Sequence, residues 1–346
     1  MAAKKKTVFV TGASGFIAKH IVLQLLEKGY SVRGSVRNDA KAKEVTAAVA
    51  PHLTKHDKLE DRLTFAVLDL NSDAGWDKAL NGCDALLHTA SPFPLTEPKE
   101  EDDLIRPAVD GTLRALKAAK SAGIDRVILT SSLAAVAYKD TGPDNGVAYD
   151  ENDWTDLNSR KSTAYVKSKA MAERAAWDFA KENPDLKLTT VNPTLVVGPA
   201  LDTNIGSSLQ LIQRILNRGD PAMPNLALGV VDVRDIAAMH VKALEKPGSA
   251  GKRFIGSSGS LWFVDVARII AARFPDRKVV TRIAPNWLVR IFGLFDSGLR
   301  GVIPSLGEEL PIDNSAARNS LGIDFISVED AISASVSFLI KHELVK

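Results

Sequence analysis

The sequence predicts an α/β fold, a doubly wound parallel sheet with a smaller C-terminal α/β lobe. Through the first half, short β-branched apolar runs alternate with segments of helical period. Near-continuous apolar strands separated by helices belong to parallel sheets covered on both faces. The first strand also runs into a glycine turn that opens a helix, and beyond Gly198 the pattern changes to Pro- and Gly-punctuated pieces.

The elements follow in order. "TVFVTG" (7–12) predicts a strand and "FIAKHIVLQLLEKG" (16–29) a helix closed by Gly29. "SVRGSVR", "LTFAVLDL" (63–70) and "DALLHTAS" (84–91) predict the second to fourth strands. "DLIRPAVDGTLRALKAAKSAG" (103–123) predicts a helix with an early Pro107, and "RVILTSS" (126–132) a fifth strand. The helix containing "STAYVKSKAMAE" (162–173) comes next, followed by the strand "KLTTVNPTLVVG" (187–198). "VVDVRDIAAMHVKALEK" (230–246) predicts a strand running into a helix, with Asp235 near the helix start. "GKRFIGSS" adds a strand, and "FVDVARIIAARF" and "SVEDAISASVSFLIKHE" add helices. "NWLVRIFGLF" (286–295), interrupted by Arg290, is expected to be a packed helix of the smaller lobe. A nucleotide-binding unit is expected over 1–198 and about 230–257, with the second lobe over about 199–229 and 258–346.

Composition narrows the function. Of 346 residues, 44 are basic and 42 acidic, a formal charge of +2, so nothing electrostatic favours nucleic acid or an anionic membrane as a partner. Cys83 is the single cysteine, which excludes an intrachain disulfide and a cysteine metal cluster. No spacing of the six histidines suggests a metal; only His88 and His240 lie in apolar patterns, His88 as a satisfied histidine at a strand end. The apolar run after the basic N-terminus is too short for a signal peptide, and none approaches the roughly 18 residues of a membrane span. A cytoplasmic enzyme, monomer or homodimer, with a small-molecule substrate is expected.

The turn "TGASGFIA" has Gly12 for the tight bend, Gly15 for close approach of a pyrophosphate, and Ala18 for close helix–sheet packing. Its free N–H groups, with Ser14, Phe16 and Ile17 in the same turn, and the positive end of the helix dipole would hold the phosphates. The end of the second strand distinguishes NAD, which needs an acid there, from NADP, which favours arginine. Between Ser31 and Asn38 there is no acid, while Arg33 and Arg37 are present and Lys41 follows one turn later. The expected cofactor is therefore NADP(H), with Arg37 and Lys41 on the 2′-phosphate; Asp39 is the acid that an NAD reading would use. Asp69 and Leu70, ending the third strand, fall where an adenine-edge contact is expected, or Asp69 caps a helix.

On a helical wheel, Lys169, Ala172, Ala176 and Phe179 fall within about 40° of Tyr165, whereas Lys167, Arg174, Asp178 and Lys181 lie opposite, at about 160–220°. Lys167 thus belongs to solvent and Lys169 to the buried face. An unpaired buried ammonium is costly, so Lys169 needs a chemical reason. A free tyrosine, with a pKa of about 10, is a poor acid–base group at neutral pH, and an ammonium one turn away would lower it. The strand "RVILTSS" delivers Ser131 and Ser132 to the carboxyl edge of the sheet, where a hydroxyl could polarise a carbonyl; Ser132 is favoured. No Gly-x-Ser-x-Gly elbow surrounds either serine, which argues against a nucleophile.

Together these residues resemble the extended short-chain dehydrogenase/reductase superfamily over essentially the whole chain. "HTASPF" (88–93), "LTSSLAAV", "YVKSK" and "VNPTLVVGP" (191–199) are similar to its dihydroflavonol reductase and cinnamoyl-CoA reductase branch. The resemblance implies an NADPH-dependent aldehyde or ketone reductase with Tyr165 as proton donor, Lys169 on the nicotinamide ribose and Ser132 on the carbonyl. It also implies cofactor contacts at Thr89, Ala90, Ser91, Pro193, Val196 and Ser208, and a pocket lined by Phe93, Leu195, Met223 and Leu226. "SSLAAV" lacks the asparagine that dihydroflavonol reductases place a few residues after the serine, which argues against a polyphenol substrate. The rival functions are an NAD-dependent nucleotide-sugar epimerase or dehydratase on the same fold, and a non-catalytic NADP-sensing protein.

Overall fold

The structure is a computed structural model that describes residues 6–54, 59–92, 100–295 and 297–346. Among the described residues, ten strands form two sheets. They are β1 (Thr7–Thr11), β2 (Ser31–Val36), β3 (Leu63–Val67), β4 (Ala85–His88), β5 (Arg126–Thr130), β6 (Lys187–Pro193), β7 (Leu195–Val197), β8 (Ala227–Asp232), β9 (Lys252–Gly256) and β10 (Gly259–Trp262). The large sheet has the order β3-β2-β1-β4-β5-β6-β9, parallel throughout, with Val8 opposite both Val32 and Ala85. Its order reverses between β1 and β4, which opens a crevice beyond their carboxyl ends. Four of the five residues of β1 are buried, as expected of a central strand covered on both faces.

The small sheet, β10-β8-β7, pairs β7 parallel and β10 antiparallel to β8. The single strand expected over 187–198 is therefore two strands that belong to different sheets. Pro193 has no N–H to extend the ladder. Thr194 turns both its N–H (3.0 Å) and its hydroxyl (3.1 Å) onto the Gly256 carbonyl, and the chain then crosses to β8. The fourth strand is also shorter than expected, because the N–H groups of Thr89 and Ala90 leave the ladder for the Thr11 hydroxyl.

Each sheet has an apolar core, and the large sheet carries another around Phe9, Leu86 and Leu116. Ile21, Leu25, Val36, Ile128 and Phe254 are fully or almost fully buried around the large sheet. Leu209, Ile212, Met223, Val266 and Ile332 fill the second core. The helix Val233–Glu245, capped by Asp232, packs on the Phe16–Glu27 helix and directs Asp235 to the N–H of Ile326 (2.8 Å), which ties the C-terminal segment to the larger sheet.

The segment 286–295 does not form the packed helix expected from its sequence. Its helix spans only Asn286–Phe292 and buries Val289, while Trp287 (63%) and Phe295 (84%) are exposed. Two turns offer one narrow inward face, and the remaining apolar side chains project away from the core. Among the described residues, no helix is long and apolar enough to cross a membrane.

Candidate active site

The crevice at the sheet reversal begins at the glycine turn. Gly12 has φ +61°, and a Cβ there would lie 3.1 Å from the Ala90 backbone, so a side chain is both strained and crowded. A Cβ on Gly15 would approach the Gly12 carbonyl to 3.2 Å. Gly15 caps the Phe16–Glu27 helix without a side-chain hydrogen bond, so the helix's first N–H groups have no capping side chain. Bare backbone at a helix N-terminus beyond a parallel strand fits the pyrophosphate of a dinucleotide. Gly12, Gly15, Phe16 and Ile17 line the adjoining cavity, and Ser14 sits half-buried on the turn.

At the end of β2, Arg37 is exposed. The helix Asp39–Val49 begins under an Asn38 cap that accepts from the Lys41 N–H. The Lys41 ammonium is held by Glu44 at 2.6 Å; Glu44 also binds Lys19, which is almost completely buried and pairs with Asp202 as well. Arg33 points elsewhere, donating to the carbonyls of Ala79 and Asn81. Asp69 is exposed, and its carboxylate accepts from the Asn71 N–H in a tight turn, so it caps no helix. Leu70 packs where a Gly111 side chain would otherwise stand.

Ser132, Tyr165 and Lys169 meet at the other end of the crevice. Ser132 closes the fifth strand's run and caps the short turn Leu133–Ala135, accepting from the Ala134 N–H at 3.1 Å. Tyr165 is the second residue of the helix Ala164–Glu182, which Thr163 caps, and its hydroxyl is hydrogen-bonded with the Ser132 side chain. The Lys169 ammonium lies 5.5 Å from the Tyr165 ring centroid and donates to Ser91 Oγ at 2.7 Å. Ser131 instead donates to Glu173, 2.5 Å away.

The electrostatics reverse one expectation. Burial pushes the Tyr165 phenol up to about 12, with a hydrogen bond from Ser132 opposing it, and the Lys169 ammonium does not lower it. Lys169 sits over the ring face and donates one of its three N–H groups to Ser91. Burial lowers the Lys169 ammonium itself to about 8. Tyr165 is thus fully protonated at neutral pH. Lys167 differs from its neighbour as expected in environment, although it is ion-paired with Glu101 (2.8 Å) rather than simply solvated. Arg174, expected on the solvent face, is half-buried, donating to the Thr155 carbonyl and lying against Trp154.

Between the two ends lies a cavity of about 820 Å³. Pro193, Leu195, Val196, Ser208 and Leu226 line it, as do Thr89 and Ser91. Ala90 lies beside Gly12, donating its N–H to Thr11. Met223 is not part of this wall. It is fully buried in the second core, where its backbone pairs with Arg282 and Ala284. Phe93 lies outside the described residues.

Sequence reasoning missed the support behind Ser132. Glu173, on the active-site helix, is 1% exposed and binds Arg253 (2.7 Å), Asn192 (2.6 Å), Ser131 and Trp177. Asn192 also donates to the Ser132 carbonyl at 3.2 Å. A buried carboxylate is tolerable only when paired and hydrogen-bonded on both oxygens, as here. Glu173 stands in a run that reads as charged surface, and apart from Trp177 on its own helix its partners come from β6, β9 and the residue just after β5. His88 is only half satisfied. Thr11 Oγ accepts from the N–H groups of Thr89 and Ala90, so its own proton goes to His88 Nδ1 (2.8 Å), and Nε2 has no partner among the described residues. His20, on the first helix, is buried as well and bonds the Pro199 carbonyl.

Comparison with known proteins agrees with this architecture. Residues 8–255 match the family model of the NAD dependent epimerase/dehydratase family. The chain is 36% identical to a cinnamoyl-CoA reductase of Medicago truncatula over 282 residues, 81% of this chain and 84% of the relative. Its structure resembles that of the yeast methylglyoxal/isovaleraldehyde reductase Gre2 complexed with NADPH, with a TM-score of 0.80, 31% identity and coverage of 97% and 99% of the two chains. Gre2 of Candida albicans in complex with NADPH is similar, with a TM-score of 0.79, 31% identity and the same coverage. The chain belongs to the NAD dependent epimerase/dehydratase family, the extended short-chain dehydrogenase/reductases, within the branch of the dihydroflavonol and cinnamoyl-CoA reductases.

Proposed function

We propose that this protein is an NADP(H)-dependent oxidoreductase that reduces an aldehyde or ketone to an alcohol. The observation carrying this reading is the hydrogen-bonded pair of hydroxyls, Ser132 and Tyr165, facing one cavity with Lys169 buried against the tyrosine. The cofactor, bound along the glycine turn, supplies the hydride to the carbonyl carbon. Ser132 holds the carbonyl oxygen, and Tyr165, protonated because burial raises its pKa, delivers a proton to that oxygen as charge develops on it. Lys169 would bond the nicotinamide ribose, and the Ser132 hydroxyl stabilises the tyrosinate left behind. Arg37 holds the 2′-phosphate, with Lys41 joining it by giving up Glu44. Of the residues lining the cavity, Pro193, Val196 and Ser208 would border the nicotinamide, and Leu195 and Leu226 would form the apolar side of the substrate pocket.

The epimerase alternative is disfavoured by the end of β2, where Arg37 stands in place of an acid. Replacing Tyr165 by Phe removes the proton donor and keeps the ring. Turnover with NADPH and an aryl aldehyde or simple ketone should fall by about a thousandfold or more, while NADPH still binds by fluorescence titration. Wild-type turnover in Tyr165→Phe would refute the assignment.

A further inference from the structure

The two cations at the end of β2 are not equally available. Arg37 is exposed and has no ion pair among the described residues, whereas the Lys41 ammonium is held by Glu44 Oε2 at 2.6 Å. The other oxygen of Glu44 accepts from the Lys19 ammonium at 2.9 Å and from the Asn204 side-chain amide at 3.0 Å. Lys19 stands in the first turn of the helix that Gly15 caps, is 2% exposed, and pairs with Asp202 as well. A buried ammonium needs a carboxylate, and Asp202 supplies one. Glu44 is a second, and it is the one shared with Lys41. Burial pushes the Glu44 carboxyl up, but hydrogen bonds from Lys41, Asn204 and Lys19 outweigh it and bring it down to about 2. Glu44 is therefore an anion throughout the neutral range.

The same carboxylate reaches a distant part of the chain. Asp202 and Asn204 belong to the loop between β7 and the helix Ser207–Leu216, and the Asn204 N–H donates to Asp202 at 3.2 Å. The loop is tied to the first helix again where His20 bonds the Pro199 carbonyl at 2.9 Å. Immediately beyond it, Gly206, Ser207 and Ser208 line the cavity. Glu44 thus joins the end of β2 to a loop that continues into the cavity wall.

An incoming phosphate and Glu44 are both anions, and both want Lys41. The carboxylate opposes the phosphate twice, by occupying Lys41 and by repelling the added charge. Once Lys41 turns to the phosphate, Glu44 keeps its charge and is left to Lys19 and Asn204, which strengthens its bond to the loop. We propose that Glu44 is a specificity-determining residue that competes with the cofactor 2′-phosphate for Lys41 and couples that phosphate to the loop carrying Asp202 and Asn204. A nucleotide with the 2′-phosphate then holds this loop more firmly than one without it, and weakening the loop contact weakens the phosphate in return. This inference rests on the placing of the 2′-phosphate at Arg37 and Lys41.

The test is equilibrium binding to the full chain, read by calorimetry with adenosine 2′,5′-bisphosphate and adenosine 5′-monophosphate. Glu44→Gln keeps an acceptor for Asn204 and removes the charge. It should bind the bisphosphate about fivefold more tightly, the worth of one partly exposed ion pair, with the monophosphate unchanged. Asn204→Ala takes a donor from Glu44 and makes it compete harder. It should bind the bisphosphate about threefold more weakly, and that loss should vanish in the Glu44→Gln background. In wild type alone, backbone hydrogen exchange over 199–206 should be slower with saturating bisphosphate than with saturating monophosphate, a result that does not depend on a variant folding. No gain in Glu44→Gln, a gain shared with the monophosphate, an Asn204→Ala loss that is missing or persists in the double variant, or equal loop exchange would each overturn the coupling. A wild type that binds the two nucleotides equally would instead overturn the placing of the 2′-phosphate at Arg37 and Lys41, and the role of Glu44 with it.

Discussion

Lys167 and Lys169 stand two residues apart on one helix and do different things. Lys167 pairs with Glu101 near the surface, and such exposed pairs contribute at most about 1 kcal/mol. Lys169 is 9% exposed and fixed to Ser91 beside the tyrosine. Helical spacing alone separates the two, because the angle around a helix is set by sequence. The partner of Lys169 was not legible, since Ser91 is 78 residues away. Arg37 makes a sharper test at this scale. It is exposed at the end of β2, where its guanidinium can grip a 2′-phosphate with charge-assisted hydrogen bonds. Arg37→Asp should lower kcat/KM with NADPH by about tenfold or more and shift preference toward NADH. Steady-state kinetics with both cofactors decides it, and an undiminished NADPH preference would rule Arg37 out.

Among the elements, the helix Val233–Glu245 carries the clearest linkage to pH. Asp235 is raised to about 6 by burial, with Asp232 and Asp324 adding to the rise and the Ile326 N–H and Arg234 opposing it. In the window from about 3.8 to about 6 the folded chain holds a proton that the unfolded chain has lost. Stability from this group is therefore lost as pH rises through that window, and the ionised carboxylate remains a cost above it. Asp235→Asn keeps an acceptor for Ile326 and removes the cost. It should unfold later than wild type at pH 8, by at most about 3 kcal/mol, and show no advantage near pH 4. Urea titrations at the two pH values check the sign. The strand 187–198 gives the complementary lesson. Its apolar run reads as one element, and only the neighbouring strand Lys252–Gly256 shows where Thr194 folds back and the sheet changes.

At the scale of the whole molecule, three buried histidines set the acid limit. Burial lowers His20 to about 4, His88 to about 3 and His240 to about 4. Below about pH 6.5 the unfolded chain takes up protons that these rings in the fold refuse. Stability is complete above that value and is lost as pH falls toward about 4. Because Asp235 acts in the opposite sense over part of this range, the measurement belongs in the Asp235→Asn background. There the stability should drop by several kcal/mol, about 3 per histidine, between pH 7 and pH 4. A flat profile would show that the rings are not buried neutral.

The sequence by itself determined the parallel sheet, the glycine turn and the tyrosine–lysine face, because strand period, helix period and glycine's freedom are local properties of the chain. It also placed Ser132 at a strand end. Only the tertiary structure decided that Met223 belongs to a core and not to the pocket, and that the apolar segment 286–295 stays mostly exposed. It likewise decided that Glu173 is a buried anchor and that Glu44 is shared among Lys41, Lys19 and Asn204. Those outcomes depend on which distant elements arrive beside each residue, and the spacing within a single helix or strand carries no record of that.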